Sequence, residues 1–149
     1  MTNETTLIHP FRLEELDAVL KIWLNANLQA HNFIDCAYWS GQIELVRELL
    51  PQEETWTCES DRAICGFIGI SDGDYIAGLF VDKAYRGHGI GKKLLDHAKR
   101  LHPLLKLHVY QKNSGAVRFY LREGFTCAAE QIDSATGELE LLLVWENKV

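Results

Sequence analysis

The sequence predicts an α/β fold, a single domain over residues 1–149 with a mixed β-sheet flanked by helices. Three observations predict it. The middle of the chain holds short apolar segments around an Asp72-Gly73 turn, which reads as antiparallel hairpin structure. From Tyr75 onward, strand, helix, strand and helix alternate, which places parallel neighbours in the same sheet. A chain of 149 residues is the size of one domain, with no repeat, low-complexity tract or linker.

The elements follow in order. Thr5 to His9 is a first strand, broken by Pro10. From Arg12, Leu13, Leu16, Leu20, Trp23 and Leu24 keep helical spacing, and Glu14 and Glu15 favour a first turn. Between Ala30 and Trp39 the periodicity dissolves into an aromatic-rich stretch. Ile43, Val46, Leu49 and Leu50 predict a second short helix, stopped by Pro51. Strands follow at Thr55–Cys58 and Ala63–Ile70. Tyr75 to Val81 is nearly continuous apolar sequence, as in a buried strand. A helix over Gly89–Leu101 turns Ile90, Leu94, Leu95, Ala98 and Leu101 inward, with Pro103 just beyond. Lys106–Tyr110 is a strand, and Ser114–Arg122 is a helix stopped by Gly124. The tail reads as a hairpin of Thr126–Asp133 and Glu138–Trp145 around Ala135-Thr136-Gly137.

Glycines concentrate between strand and helix. The run Arg86-Gly87-His88-Gly89-Ile90-Gly91-Lys92 aims backbone N–H groups outward, and the helix start adds partial positive charge. Charge agrees. Net charge is -6, yet Lys83 to Arg100 holds six basic residues against one acidic, a local +5 that leaves -11 elsewhere. Such an island suggests a small polyanionic ligand. Two phosphate motifs fail. A P-loop would need Ser or Thr where Lys93 stands and glycine where Arg86 stands. A dinucleotide fingerprint would need its last glycine at Lys92.

Composition excludes other classes. Hydrophobic content of 47% and charged content of 24% are those of a globular chain. The start, Met-Thr-Asn-Glu-Thr-Thr, lacks the regions of a secretory signal, and no apolar run is long enough to span a membrane. Cys36, Cys58, Cys65 and Cys127 form no C-x-x-C pair, and the six histidines do not cluster at ligand spacing. No metal is therefore expected, and a cytoplasmic location is. The acidic balance argues against nucleic acid.

The pattern that fits is Arg86-x-x-Gly89-x-Gly91, which resembles the acetyl-CoA pyrophosphate loop of the GNAT N-acetyltransferase family. The segment Asn113-Ser114-Gly115-Ala116-Val117-Arg118-Phe119-Tyr120 with Gly124-Phe125 resembles the family's next motif, in the right order and separation. The resemblance implies the acyl-CoA N-acyltransferase fold, in which the strands before and after the loop helix splay apart to admit the pantetheine arm. It implies a cofactor site of Leu79, Phe80, Val81, Arg86, Gly87, His88, Gly89, Ile90, Gly91, Lys92, Asn113, Ala116, Phe119 and Tyr120. It also implies acetyl-CoA as co-substrate, and Tyr120 as the acid that protonates the leaving thiolate, with Phe119 the better core candidate.

The base is less defined. The strand Tyr75–Val81 lacks the glutamate many relatives carry, and Asp74 lies just before it. Five residues before Asn113, where some relatives place a glutamate, stands His108, and imidazole suits proton removal at neutral pH. His108 as base stands beside His108 as an ordinary strand histidine, with His31 and Tyr75 the other candidates. The acceptor site is expected around His31, Phe33, Tyr38, Trp39 and Tyr75, with the final hairpin. Aromatics there suit an apolar or cationic acceptor, and the acidic body favours a cationic amine. The expected function is acetyl-CoA-dependent N-acetyl transfer to a small-molecule or peptide/protein amine, by a monomer or homodimer. The alternative is a non-catalytic acyl-CoA-binding sensor or interaction module.

Overall fold

The computed structural model describes residues 6–147. Seven strands form one sheet in the order β1-β2-β3-β4-β5-β7-β6. The chain runs β1 (Thr6–Pro10), α1 (Leu16–Ala30), α2 (Cys36–Leu49), β2 (Glu54–Ser60), β3 (Ala63–Ser71) and β4 (Tyr75–Val81). It continues through α3 (Ile90–Leu101), β5 (Leu104–Tyr110), α4 (Ser114–Arg122), β6 (Thr126–Ile132) and β7 (Leu139–Glu146). The expected strand start at Thr5 lies outside the described residues.

Alternation along β3 divides the core. Successive strand side chains point to opposite faces. Phe67 joins Val19, Ile22 and Leu50 under α1 and α2. Its neighbour Ile68 joins Ile90, Leu94, Leu95, Leu105 and Leu107 under α3 and α4. The α3 residues Leu94, Leu95 and Ala98 are fully buried, as their spacing predicts, whereas Leu101, expected inward, is half-exposed at the last position of the helix.

Two elements depart from the sequence reading. Leu13 is 69% exposed, because a 3₁₀ turn over Leu13–Glu15 precedes α1. Glu15 closes that turn by accepting the Arg12 N–H at 2.9 Å. The second helix starts at Cys36 rather than near Ile43, so Tyr38 and Trp39 are helical. Asp35 caps it, accepting the Ala37 N–H at 2.9 Å. Trp39, Ile43, Val46 and Leu50 form one helical stripe, and the surrounding aromatics obscure it.

The sheet opens where the helix crosses. β4 and β5 are parallel but pair only at Tyr75 and Lys106. Beyond that point the β4 edge facing β5 has no ladder partner. Ala77 is an extra residue in β4 between the Gly69–Gly78 and Ile70–Ile76 pairs. Such a bulge bends its strand and sharpens its twist. On the far side, β5 pairs with β7 along its whole length, and β7 with β6.

Candidate active site

The glycine turn is built by backbone. Gly87 and Gly89 have φ of +82° and +76°, which side-chain-bearing residues resist. Gly89 caps α3, whose first intrahelical bond runs from Lys93 N–H to Gly89 O at 3.0 Å. The N–H groups of Ile90, Gly91 and Lys92 precede that bond, so they have no partner within the helix. They border a hollow of about 360 Å³ lined also by Val81, Arg86, Phe119 and Arg122. Gly91 has ordinary van der Waals room for a Cβ and an unremarkable φ, so its glycine is not forced by the fold alone. Lys92 is less free than its charge suggests. Its Nζ lies 2.9 Å from Glu123 and 3.3 Å from Asp96.

The gap between β4 and β5 forms a second cavity, a cleft of about 430 Å³. It brings together Leu79, Phe80, His108, Asn113, Ala116 and Tyr120 with His31, Tyr38, Trp39 and Tyr75. Val81, Arg86 and the glycines line the neighbouring hollow instead. His88 lies exposed on the turn, and Phe33 sits behind His31 and Tyr110, in edge contact with both rings.

Tyr120 is 7% exposed and belongs to the core cluster, whereas Phe119 is only partly buried. This reverses the expected assignment of Phe119 as the core residue. The reason is the helix stripe. Tyr120 stands on the face of α4 turned toward β5, against Phe125. Burial pushes its phenol pKa well up, so it holds its proton.

On the other side of the gap, Tyr75 Oη lies 2.7 Å from His108 Nδ1. Burial, then the nearby Glu140 charge, raise the Tyr75 pKa. A phenol so held stays protonated at neutral pH, and it can donate to Nδ1 in the tautomer that carries the imidazole hydrogen on Nε2.

His31 is engaged at both nitrogens. Nδ1 donates to Asn27 Oδ1 (3.1 Å), and Nε2 accepts from Asn113 Nδ2 (3.1 Å). Asn27 in turn donates to Trp23 O at 2.9 Å. Asn113 Oδ1 caps α4 by accepting the Ala116 N–H at 3.3 Å. One asparagine thereby ties the α4 cap to α1. His31 also stacks on Trp39, rings 5.1 Å apart. Burial lowers its pKa to about 4, so it is neutral at physiological pH.

The mouth of the cleft is aromatic and acidic. Tyr110 O–H donates to Asp133 at 2.7 Å, which helps hold the Asp133 carboxyl below its usual range. Glu140 faces Tyr110 across the β5–β7 ladder and lines the cleft. Sequence reasoning missed Trp23, Asn27, Tyr110, Arg122 and Glu140. Arg122 was legible, one helical turn beyond Arg118 beside Phe119. Glu140 was not, because it depends on the register of a hairpin distant from the motifs.

Among the described residues, His9, Glu15 and Glu59 also come within metal-ligand reach of one another, away from the cleft. Glu15 there already accepts from Arg12 N–H and from Thr57 Oγ1 at 3.2 Å.

A gap in a mixed sheet, a glycine turn at a helix start and a buried tyrosine facing the gap define an acyl-transfer class. Residues 24–137 match the family model described as acetyltransferase (GNAT) domain. The chain belongs to the GNAT acetyltransferase family. It is 38% identical over 120 residues to the Escherichia coli peptidyl-lysine N-acetyltransferase YiaC, covering 80% of this chain and 82% of that one. The solution structure of apo YjaB from Escherichia coli superposes with TM-score 0.84 and 29% identity, covering 95% of this chain and 97% of that one. A PaiA N-acetyltransferase from Thermoplasma acidophilum, solved with coenzyme A, shares the fold at TM-score 0.79 and 18% identity, covering 95% of this chain and 99% of that one.

Proposed function

We propose that the chain transfers acetyl from acetyl-CoA to lysine side-chain amines of proteins, by direct attack within a ternary complex. One observation carries the reading. Tyr120 and the Tyr75–His108 pair line the same cleft in the opened sheet. The relative YiaC, named a peptidyl-lysine N-acetyltransferase, supports the acceptor class.

The anion turn anchors the pyrophosphate through Gly87 to Lys92, with Arg86 and Arg122 supplying charge. The pantetheine arm pairs with the free edge of β4 at Leu79 to Val81, whose N–H groups polarise the thioester carbonyl. The lysine enters as an ammonium. Tyr75 Oη accepts one of its protons while passing its own to His108 Nδ1. The neutral amine attacks the carbonyl carbon, and the C–S bond breaks as the tetrahedral intermediate collapses. Tyr120 protonates the leaving thiolate, and the second proton shed by nitrogen restores the phenol. One proton is released net. None of the four cysteines lines the cleft, which suits direct transfer rather than an acetyl-cysteine intermediate.

The test is product analysis by tandem mass spectrometry. Peptides carrying one lysine and a free α-amine are incubated with acetyl-CoA and the protein. Acetyl on the lysine Nε, with free thiol released in equal amount, supports the reading. Binding of acetyl-CoA without any amine product would support the sensor reading instead. A second arm measures His108→Ala, in which kcat should fall while the acetyl-CoA KM holds.

A further inference from the structure

Glu140 stands outside every sequence motif, yet it lines the cleft beside the Tyr75–His108 pair. It projects from the sheet face that carries His108 and Tyr110. In β5 the buried residues Leu105, Leu107 and Val109 face α3 and α4, so His108 and Tyr110 face the other way. The β5–β7 register sets Glu140 opposite Tyr110 and Leu142 opposite His108. Leu141 and Leu143 fill the core beneath, which fixes Glu140 on the acceptor face.

Its surroundings are those of an anion without a cation. Gln131 Nε2 donates to Oε1 at 2.6 Å, a neutral partner. Among the described residues, no lysine, arginine or histidine lies within ion-pair distance of it. Two nearby acids in the segment joining β6 and β7 are engaged. Asp133 accepts from Tyr110, Thr136 and the Ala135 N–H, and Glu138 is paired with Lys112 at 2.9 Å. The Glu140 charge nonetheless reaches the cleft: it raises the Tyr75 pKa after burial has done so, and it raises the Tyr38 pKa after burial and the Asp133 charge. Tyr38, Tyr75 and Tyr110 line the same space, and aromatic rings suit a cation.

We infer that Glu140 is the specificity-determining counter-ion for the acceptor's ammonium group, holding the lysine Nζ at the mouth before Tyr75 takes its proton. This rests on the lysine reading above. It also divides the cleft by charge. The polyanionic donor is held at the basic glycine turn, and the cationic acceptor is held at the opposite, acidic end. A neutral or anionic amine would leave the Glu140 carboxylate unpaired in the filled site, which disfavours it.

The test is steady-state kinetics of Glu140→Gln with a lysine peptide at saturating acetyl-CoA, alongside a melting curve. Gln keeps the shape and a bond to Gln131 while removing the charge. The expected result is a rise of about tenfold in peptide KM, with kcat and the acetyl-CoA KM within twofold of wild type. Added salt should weaken the peptide KM of wild type more than that of the variant. If Glu140→Gln folds poorly, Glu140→Ala is measured in its place, and Glu140→Asp should recover part of the affinity. Unchanged peptide KM and salt dependence in a folded neutral variant overturn the assignment while leaving lysine transfer intact. Wild type that acetylates other amines but no lysine peptide overturns the lysine reading, and this assignment with it.

Discussion

Tyr120 shows how burial shapes chemistry at a single residue. A phenol in the core keeps its proton into the alkaline range, which is what the proposed mechanism asks of the acid at the thiolate. Tyr120→Phe removes that proton and little else. Turnover of a lysine peptide should fall on the order of 10²-fold, with acetyl-CoA affinity retained. An unchanged rate where chemistry limits turnover would remove Tyr120 from the mechanism. His31 gives a second prediction, on stability. Its folded pKa of about 4 lies below the 6.5 of an exposed histidine. Between those values the unfolded chain binds a proton that the folded chain refuses, so stability falls as pH drops through this window. The full effect is at most roughly 3 kcal/mol. Urea melts at several pH values from 4 to 7 should show this slope in wild type and a shallower one in His31→Gln. Equal slopes would mean that His31 is protonated in the fold.

At the scale of elements, the strand-to-helix turn carries the clearest dependence of function on local conformation. Gly89 holds φ of +76° as the cap of α3, with open space where a Cβ would stand. Gly89→Val should therefore raise the acetyl-CoA KM at least tenfold by tilting the N–H groups, at a stability cost of roughly 1–3 kcal/mol. A folded variant with unchanged KM would place the phosphates elsewhere. This turn was legible in the sequence because positive φ selects glycine residue by residue. So was α3, whose apolar stripe is regular and flanked by Pro103. The start of α2 was not. Its cap at Asp35 and its first aromatics look like a loop until Trp39 is seen to share a stripe with Ile43, Val46 and Leu50. The burial of Tyr120 over Phe119 was likewise hidden, because adjacent aromatics in a nine-residue helix differ only by which one meets β5.

Across the whole molecule, function depends on the sheet being open in one place. Among the described residues, six strand pairs join the seven strands, and only the β4–β5 pair stops after a single register contact. A basic turn borders one hollow, and aromatic rings with Glu140 line the cleft in the opened sheet, within a chain of net charge -6. The basic end was readable from the sequence as an island of charge. The place of Glu140 was not, since it reaches the cleft only through the register of β5 and β7. The Tyr75–His108 contact joins residues 33 positions apart and likewise needed the parallel pairing to appear. The central claim is that both substrates meet in this opening. Its most direct test is the initial rate of lysine-peptide acetylation over a grid of peptide and acetyl-CoA concentrations. Acetyl-lysine formed with intersecting double-reciprocal lines is the predicted result, and parallel lines, or acetyl-CoA bound with no acetyl-lysine formed, would contradict it.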